Sequence, residues 1–519
     1  MLSTTDALIT TLAKMFDRLS LNQLLDFVKR TLVPEGGVKE RTVKSGIWVT
    51  LINVFDRGLQ LAKLIVLARL LSPAAIGLIG ITLLVLTVLE QFSEFGVDRA
   101  LIQRKERNIN EYLNTAWSLQ IIRGVLVVGI AYVAAPYAAV FFGEPRSTDL
   151  IRVLALTSLL TSLRNPGLIY FRKNLDFHKQ FAYTLTGSLV NAAVTIATAW
   201  IFRSVWAFVF GRLAGNIVTI VLSYLIHEYR PWPAFDRAQA RELLGYGKWI
   251  LGSGVLAFLL NQGDDAFIGW FLSASVLGFY QLAFRFSNAP ATEITHTISN
   301  VVFPAYSQLQ TDDTKLRKGY FRTIQLTTMV SFPMAAGIFV TAPVFVQGFL
   351  GEQWLPMVWP MQILTLWGAI RSLGSSTGPL FEAVGRPDYN TKLQVLELAI
   401  VVVLIYSATD RWGIAGTAFV VVVSGIVASP IANYLAVRQV EGSYFRLIRV
   451  VSYPAVGSAV MAIGVWFVRT NVAIGSSIVE FLFLVTVGIV LYSLVMVGIE
   501  RRFDIGISTV FNTVISSFR

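Results

Sequence analysis

Seven basic side chains stand inside stretches that are otherwise apolar: Arg57, Lys63, Arg123, Arg164, Arg212, Arg285 and Arg371. Acids share those stretches at Asp56, Glu90, Glu94, Asp264, Asp265, Glu293 and Glu382, with His296 one turn beyond Glu293. A guanidinium presents a planar fork of donors that meets two phosphate oxygens at once, so a mostly basic polar interior suits a phosphate-bearing anion. The titratable groups could instead carry protons or hold a cation, which makes Asp56, Asp264, Asp265, Glu293, His296 and Glu382 the candidates for coupling and gating. The adjacent pair Asp264-Asp265 disfavours double ionisation. Covalent chemistry lacks its parts. There is no Cys, which excludes a thiol nucleophile, a Cys-ligated zinc and an iron–sulfur cluster. His178, His227 and His296 match no metal-ligand spacing. No G-x-x-x-x-G-K-[ST], H-E-x-x-H or G-x-S-x-G motif occurs. The expectation is a protein with no catalytic residue, no metal and no cofactor.

The elements that position these charges follow from composition. Of 519 residues, 55% are hydrophobic and only 14% charged, where a soluble domain carries nearer a quarter. So little polar surface cannot cover a soluble globule, and the apolar residues must face lipid. About fourteen apolar stretches of spanning length lie between residues 45 and 499. A charge at the bilayer centre costs at least about 2.5–3.5 kcal/mol, so the interior charges face a wet cavity, pair with one another, or snorkel to an interface.

The net charge of +12 invites a nucleic-acid reading. Placing the charges removes it. Arg99, Arg104, Lys105 and Arg107 fall on the same side as Arg172, Lys173 and Lys179, as Arg230, Arg237, Arg241 and Lys248, and as Lys315, Arg317, Lys318 and Arg322. Arg386, Lys392, Arg438, Arg446, Arg449, Arg501 and Arg502 continue the pattern. Counted with the N-terminal segment, roughly thirty basic residues oppose six, a strong positive-inside bias that puts both termini in the cytoplasm. Twelve or thirteen spans would place basic loops on both sides.

The chain also repeats itself. Gly46-Ile47-Trp48, Leu71-Ser72 and Gly77 recur 201 positions later as Gly247-Lys248-Trp249, Leu272-Ser273 and Gly278. Ala135-Pro136 followed by Phe142-Gly143-Glu144 returns as Ala342-Pro343 followed by Leu350-Gly351-Glu352, and Asp176-Phe177 as Asp388-Tyr389. An even number of spans per copy keeps both copies in one orientation, related by an axis along the membrane normal, as rocker-type alternating access requires. The expected organisation is a cytoplasmic amphipathic extension (1–44), an N-lobe of six spans (45–229), a cytoplasmic linker (230–245), a C-lobe of six (246–440), two further spans (441–500) and a cytoplasmic tail (501–519).

Helical spacing adds two stripes. Arg285, Ala289, Glu293 and His296 share a face of the eighth span, past an expected break at Asn288–Pro290, and Asp56 and Lys63 share a face of the first. The duplication makes Lys63 the counterpart of Asp264. Two expectations follow: the pair meets across the cavity and holds its outer side closed, or each is paired inside its own lobe.

The run from Gly46 to Gln103, with Leu71-Ser72-Pro73-Ala74-Ala75-Ile76-Gly77-Leu78, Phe95-Gly96-Val97 and Ala100-Leu101-Ile102-Gln103, resembles the opening of polysaccharide-exporter-type (Wzx-like) flippases of the multidrug/oligosaccharidyl-lipid/polysaccharide exporter superfamily. Asp264-Asp265-Ala266-Phe267-Ile268-Gly269, Val302-Phe303-Pro304-Ala305-Tyr306-Ser307 and Phe381-Glu382-Ala383-Val384-Gly385-Arg386-Pro387 extend the likeness across most of 45–440. The resemblance implies an all-α polytopic protein of a bacterial inner membrane. It implies a carrier that flips polyprenyl-pyrophosphate-linked oligosaccharide units to the outer leaflet, with membrane lipid around it; the titratable residues above could couple that transport to H+ or Na+. Other polysaccharide assembly proteins are compatible partners, and nucleic acid is not one. The last two spans resemble those that add a lipid-facing groove in related lipid II flippases. The N-terminal extension departs from the pattern.

Three other readings stand beside this one. A drug or metabolite exporter of the same superfamily would favour acids over arginine in its cavity and needs only twelve spans. A membrane-embedded polysaccharide polymerase or glycosyltransferase would carry a sizeable outer loop, and the outer connections here are short. A scaffold in a polysaccharide assembly complex fits the composition equally.

Overall fold

A chain in hydrocarbon must satisfy every backbone N–H and C=O itself, since each unmet group costs several kcal/mol there. The computed structural model describes residues 38–94, 96–97, 101, 109–174, 176–245, 247–472 and 474–503, with side chains except at 38–47, 49–51, 54, 242–255, 257, 289–297 and 300–301. Every regular element among them is a helix. The expected amphipathic extension falls mostly on residues 1–37, outside the described residues, as does the tail beyond Phe503.

The first copy contributes α1 (Val38–Leu70), α2 (Pro73–Ser93), α3 (Asn110–Phe141), α4 (Ser147–Ser162), α5 (Ile169–Lys173), α6 (Phe177–Phe202) and α7 (Trp206–Ile226). A short α8 (Arg237–Gly245) leads into α9 (Gly247–Phe271), α10 (Ala274–Leu309), α11 (Asp313–Phe345), α12 (Val358–Ala383) and α13 (Asp388–Gln439). Last come α14 (Tyr444–Asn471) and α15 (Ser477–Phe503). Eight of the described helices are long and apolar enough to cross a membrane: α2, α3, α6, α7, α11 with the turn after it, α13, α14 and α15. The protein is an all-α polytopic membrane protein.

The duplication reaches down to the caps. Ser72 Oγ accepts from Ala75 N at 3.3 Å ahead of α2, and Ser273 Oγ accepts from Val276 N at 3.4 Å ahead of α10. Both hydroxyls satisfy an orphan donor of a first turn at equivalent positions. α13, with 52 residues, would be about 78 Å long as one rod, far more than a bilayer core of about 30 Å. It folds back at Gly413, whose φ of 57° and ψ of −142° are open to glycine and closed to most side chains. The Thr409 and Thr417 hydroxyls then meet at 2.7 Å.

Two expectations about helix continuity need correction. α10 runs unbroken through Pro290. Proline removes only the donor that would meet the Phe286 carbonyl, and the helix continues past that single lost bond. The apolar run after Ser147 is interrupted instead: α4 stops at Ser162, and Leu163–Asn165 leave the helix before a 3-10 turn at Pro166–Leu168.

The chain packs as two compact units. Unit 1 holds the described residues up to Leu64 with Leu89–Val133 and Leu150–Ser253; unit 2 holds Ile65–Val88, Ala134–Asp149 and the chain from Gly254. In unit 1, Gly211 and Gly215 of α7 bring that backbone against Asn191 and Thr195 of α6, where any Cβ would collide. Close approach of small residues is the main way helices hold together without a hydrophobic drive between them. Unit 2 has an apolar core of Tyr306, Tyr320, Phe321, Phe381 and Leu447, and a second cluster in which Val340 and Val344 of α11 meet Met461, Val465 and Leu484. That second cluster fastens α14 and α15 to α11.

Candidate functional site

Unit 1 carries five of the seven interior bases. Arg123 is held by the Glu94 carboxylate at 3.1 Å, by Ser93 Oγ at 3.1 Å and by the Glu90 carbonyl at 3.3 Å. Glu90 accepts from Ser158 Oγ at 2.6 Å and lies within electrostatic reach of Arg212. Asp56 accepts from Gln60 Nε2 and Ser188 Oγ, at 2.7 and 2.6 Å. Arg123 is thus paired with an acid, while Asp56 meets an amide and a hydroxyl. Arg164 is positioned by a neutral amide. Lys63 Nζ donates to Asn191 Oδ1 at 2.9 Å and lies 5.6 Å from the Phe208 ring centroid. Arg57 is exposed on α1.

Arg164 sits in the break after α4. Backbone that leaves the helix at membrane depth survives only where protein or a wet cavity meets its polar groups, and each group here has a partner in unit 1. Tyr224 Oη donates to the Leu163 carbonyl at 3.0 Å, and Asn165 N donates to Ser223 Oγ at 3.0 Å. Asn165 Oδ1 accepts from Gly167 N at 2.9 Å, while its Nδ2 donates to the Tyr229 carbonyl at 2.6 Å. The break is therefore a built structure. From it Arg164 Nη2 reaches Asn216 Oδ1 at 2.8 Å, ten residues into α7 and so about 15 Å from that helix's start. The Arg164 Nε is buried and makes no hydrogen bond among the described residues. A guanidinium set against a neutral amide, with a donor to spare, is equipped to take an anion.

His227, just past α7, covers the break. Its Nδ1 accepts from Tyr229 N at 3.1 Å, and its ring stacks on Tyr170 with centroids 5.9 Å apart. Burial, with Lys179 and Arg230 nearby, holds its pKa below the usual histidine value despite Glu228.

In unit 2 the acids are tied to the neighbouring helix at matched spacing. Asp264, 9% exposed, accepts from the fully buried Tyr280 Oη at 2.6 Å, and Asp265 accepts from Gln281 Nε2 at 2.9 Å. Each partner lies 16 residues on, so α9 and α10 run side by side through this pair. Arg285, one turn past Gln281, is exposed and within electrostatic reach of Asp265. Arg371 lies over the Trp367 ring at 4.8 Å and within electrostatic reach of Glu397, a carboxylate that joins the candidates only here. Glu382 is exposed near the end of α12. Glu293 and His296 lie on α10, but their side chains fall outside those described. Lys63 and Asp264, expected either to meet or to be held separately, each have a partner inside their own unit.

The two copies approach closely within unit 2. A Cβ on Gly77 would overlap the Ala274 carbonyl, and a Cβ on Gly278 would overlap the Pro73 carbonyl. These are equivalent residues meeting crosswise, so the starts of α2 and α10 touch backbone to backbone. The neighbouring ends repeat the exchange. Trp354 Nε1, fully buried, donates to the Ala68 carbonyl at 2.7 Å, and Arg69 donates to the Phe349 carbonyl at 2.7 Å and to the Gly348 carbonyl. In the counterpart contact Phe141 stacks on Trp270, centroids 6.0 Å apart, and Phe142 fills the space over Gly269. The sequence held a signal for this layer, since Gly77 and Gly278 appear among the repeated residues, but it did not say that the copies meet there. Asn191, Asn216, Tyr280, Gln281 and Glu397 were also missed; each is a polar residue in an apolar run.

Comparison with known proteins places this arrangement. A family model described as "Polysaccharide biosynthesis protein" matches residues 66–359. The lipopolysaccharide biosynthesis protein WzxC of Escherichia coli K12 is 25% identical over 411 residues, covering 79% of this chain and 83% of its own. The succinoglycan biosynthesis transport protein ExoT of Rhizobium meliloti is 21% identical over 472 residues, 89% of this chain and 94% of its own. Among solved structures, the lipid II flippase MurJ in an inward closed conformation superposes with a TM-score of 0.71 at 14% identity, covering 88% of this chain and all of that one. At that identity the likeness is one of fold.

Proposed function

The chain belongs to the polysaccharide biosynthesis protein family, whose model spans more than half of it, and from that premise we propose that it flips polyprenyl-pyrophosphate-linked oligosaccharide units from the cytoplasmic to the outer leaflet. Relatives bearing lipopolysaccharide and succinoglycan biosynthesis names, and a fold shared with a lipid II flippase, support the class of cargo. In this reading the chain has fourteen spans, six in each copy and two added, with both termini in the cytoplasm of a bacterial-type plasma membrane and α4's break nearer the cytoplasmic side. The observation that carries the reading is the Arg164 break: a half-buried guanidinium on non-helical backbone, bound to an amide rather than an acid. Substrate sites on interrupted helices are the recurring solution in carriers of this kind.

The pyrophosphate head enters from the cytoplasmic side and meets Arg164, with Lys63 deeper in unit 1. The lipid tail stays in the bilayer. The layer of Gly77, Gly278, Trp354 and Arg69 closes the outer end, and alternating access consists of parting it. Proton or sodium coupling falls to the Asp264-Asp265 pair, whose Tyr280 and Gln281 partners would rearrange on protonation or ion binding. Ligand-induced thermal stabilisation of the purified protein tests the first contact. A polyprenyl-pyrophosphate oligosaccharide raises the melting temperature of wild type, the shift shrinks in Arg164→Ala, and Arg164→Lys is intermediate. Equal shifts in all three remove Arg164 from the site.

A further inference from the structure

The ends of α11 and α14 that face away from the junction of the copies flank an open pocket of about 460 Å³. Lys318, Arg322 and Gln325 line one wall at i, i+4 and i+7, which places them on one face of α11. Arg446 and Val450, also one turn apart, line the opposite wall from the first turns of α14, and Phe321 forms the floor. Phe321 is buried in the apolar core, and the Arg446 guanidinium lies over its ring at 4.8 Å, a cation–π contact that fixes this cation at the mouth. Arg317 Nη1 donates to the Glu441 carbonyl at 3.0 Å, pinning α11 to the turn before α14. Three cations thus share a pocket, and no carboxylate stands among the described residues that line it.

Depth decides what kind of anion fits. Arg446 is the third residue of α14 and Lys318 the sixth of α11, so both lie within about 8 Å of a helix end. Further along both helices from the basic rim come exposed apolar side chains, Leu326 on α11 and Ile448 on α14. A free anion has no use for that apolar margin. A lipid has both parts, a charged head for the cations and acyl chains for the hydrocarbon beyond.

We infer that this pocket binds the phosphodiester headgroup of an anionic bilayer lipid, held by Lys318, Arg322 and Arg446 at the membrane surface where α14 joins α11. The inference rests on the chain's being embedded in a bilayer and not on the translocation reading. A lipid seated here braces the two added helices against the body that carries them.

Native mass spectrometry of the full chain, stripped of lipid in uncharged detergent and titrated with phosphatidylglycerol or phosphatidylcholine, tests it. Wild type retains phosphatidylglycerol preferentially, and the triple variant Lys318→Gln/Arg322→Gln/Arg446→Gln loses the preference. The single variant Arg446→Gln, at an exposed position, weakens retention about fivefold, as expected for one basic residue near an anionic surface; it also serves if the triple variant does not fold. Arg446→Lys keeps most of the preference. Equal retention of phosphatidylglycerol by wild type and Arg446→Gln would overturn the proposal. Displacement of the lipid by millimolar inorganic phosphate would reduce the site to a phosphate-ion site. Displacement by equimolar polyprenyl pyrophosphate would reassign it to the cargo.

Discussion

Replacing Gly77 by alanine puts a methyl group where the Ala274 carbonyl now stands, with the Gly278 nitrogen 3.0 Å from the same point. Both neighbours are main-chain atoms of the facing helix, so no rotamer change relieves the overlap and the helices must part. Overpacking of this sort costs about 1–3 kcal/mol. The cost falls only on the arrangement in which α2 and α10 touch, because within a helix alanine is favoured over glycine by about 1 kcal/mol. If closure of this layer is one of two states that the carrier visits, the substitution shifts the balance roughly 5- to 150-fold towards the parted state. The chain contains no Cys, so a single reporter thiol has no background. Leu71, 3% exposed beside the contact, becomes the reporter as Leu71→Cys, labelled from outside with an impermeant maleimide. Labelling is expected to quicken at least fivefold with Gly77→Ala. Gly278→Ala should act similarly, since its Cβ strikes the Pro73 carbonyl. The double variant should fall short of the product of the two, because both relieve one contact. Unchanged labelling in both single variants would refute the claim that this crossed glycine contact holds the outer end shut.

Two further outcomes follow from the site. Glu397→Gln leaves the half-buried Arg371 without its carboxylate neighbour and should destabilise the protein by about 1–3 kcal/mol; Arg371→Met with Glu397→Gln should recover most of the loss, and equal melting of single and double variants would show that the two do not interact. His227, kept neutral by burial with Lys179 and Arg230 nearby, contributes stability that is complete above its unfolded pKa of about 6.5 and is lost as pH falls through its lower folded value. Wild type should therefore lose more melting temperature between pH 7.5 and 5 than His227→Gln, whose side-chain oxygen can still accept from Tyr229; parallel losses would exclude His227 as the group responsible.

The sequence displayed what repetition and hydropathy can display. The apolar residues on either side of Gly413 are the two arms of α13, and that glycine is the turn. The repeated Leu-Ser and glycine positions are the matched caps and the crossed contact of α2 and α10. Partners across space were not legible. Asn216 meets Arg164 from 52 positions away, and nothing in an apolar run marks one amide as facing a cation. Pro290 was misleading because one missing backbone donor need not end a helix in lipid, where prolines are tolerated inside spans. The break at Arg164 was hidden for the opposite reason: Leu163, Leu168 and Ile169 keep the segment apolar, while Ser223, Tyr224 and Tyr229 supply the partners that let the backbone leave the helix.

Leaflet exchange in proteoliposomes is the most direct test of the central claim. A fluorescent polyprenyl-pyrophosphate oligosaccharide is placed in both leaflets, and the fraction reachable by an outside quencher is followed with wild type, Arg164→Ala and Arg285→Ala. Protein-dependent exchange that falls at least tenfold with Arg164→Ala, the scale expected for losing one charge-assisted contact of about 1.5–3 kcal/mol, is the predicted result; Arg285→Ala shows whether α10 adds a second anion contact. Absence of exchange with wild type for any pyrophosphate-linked sugar, while glycan chains lengthen in its presence, would contradict the account and make the protein an enzyme of glycan assembly.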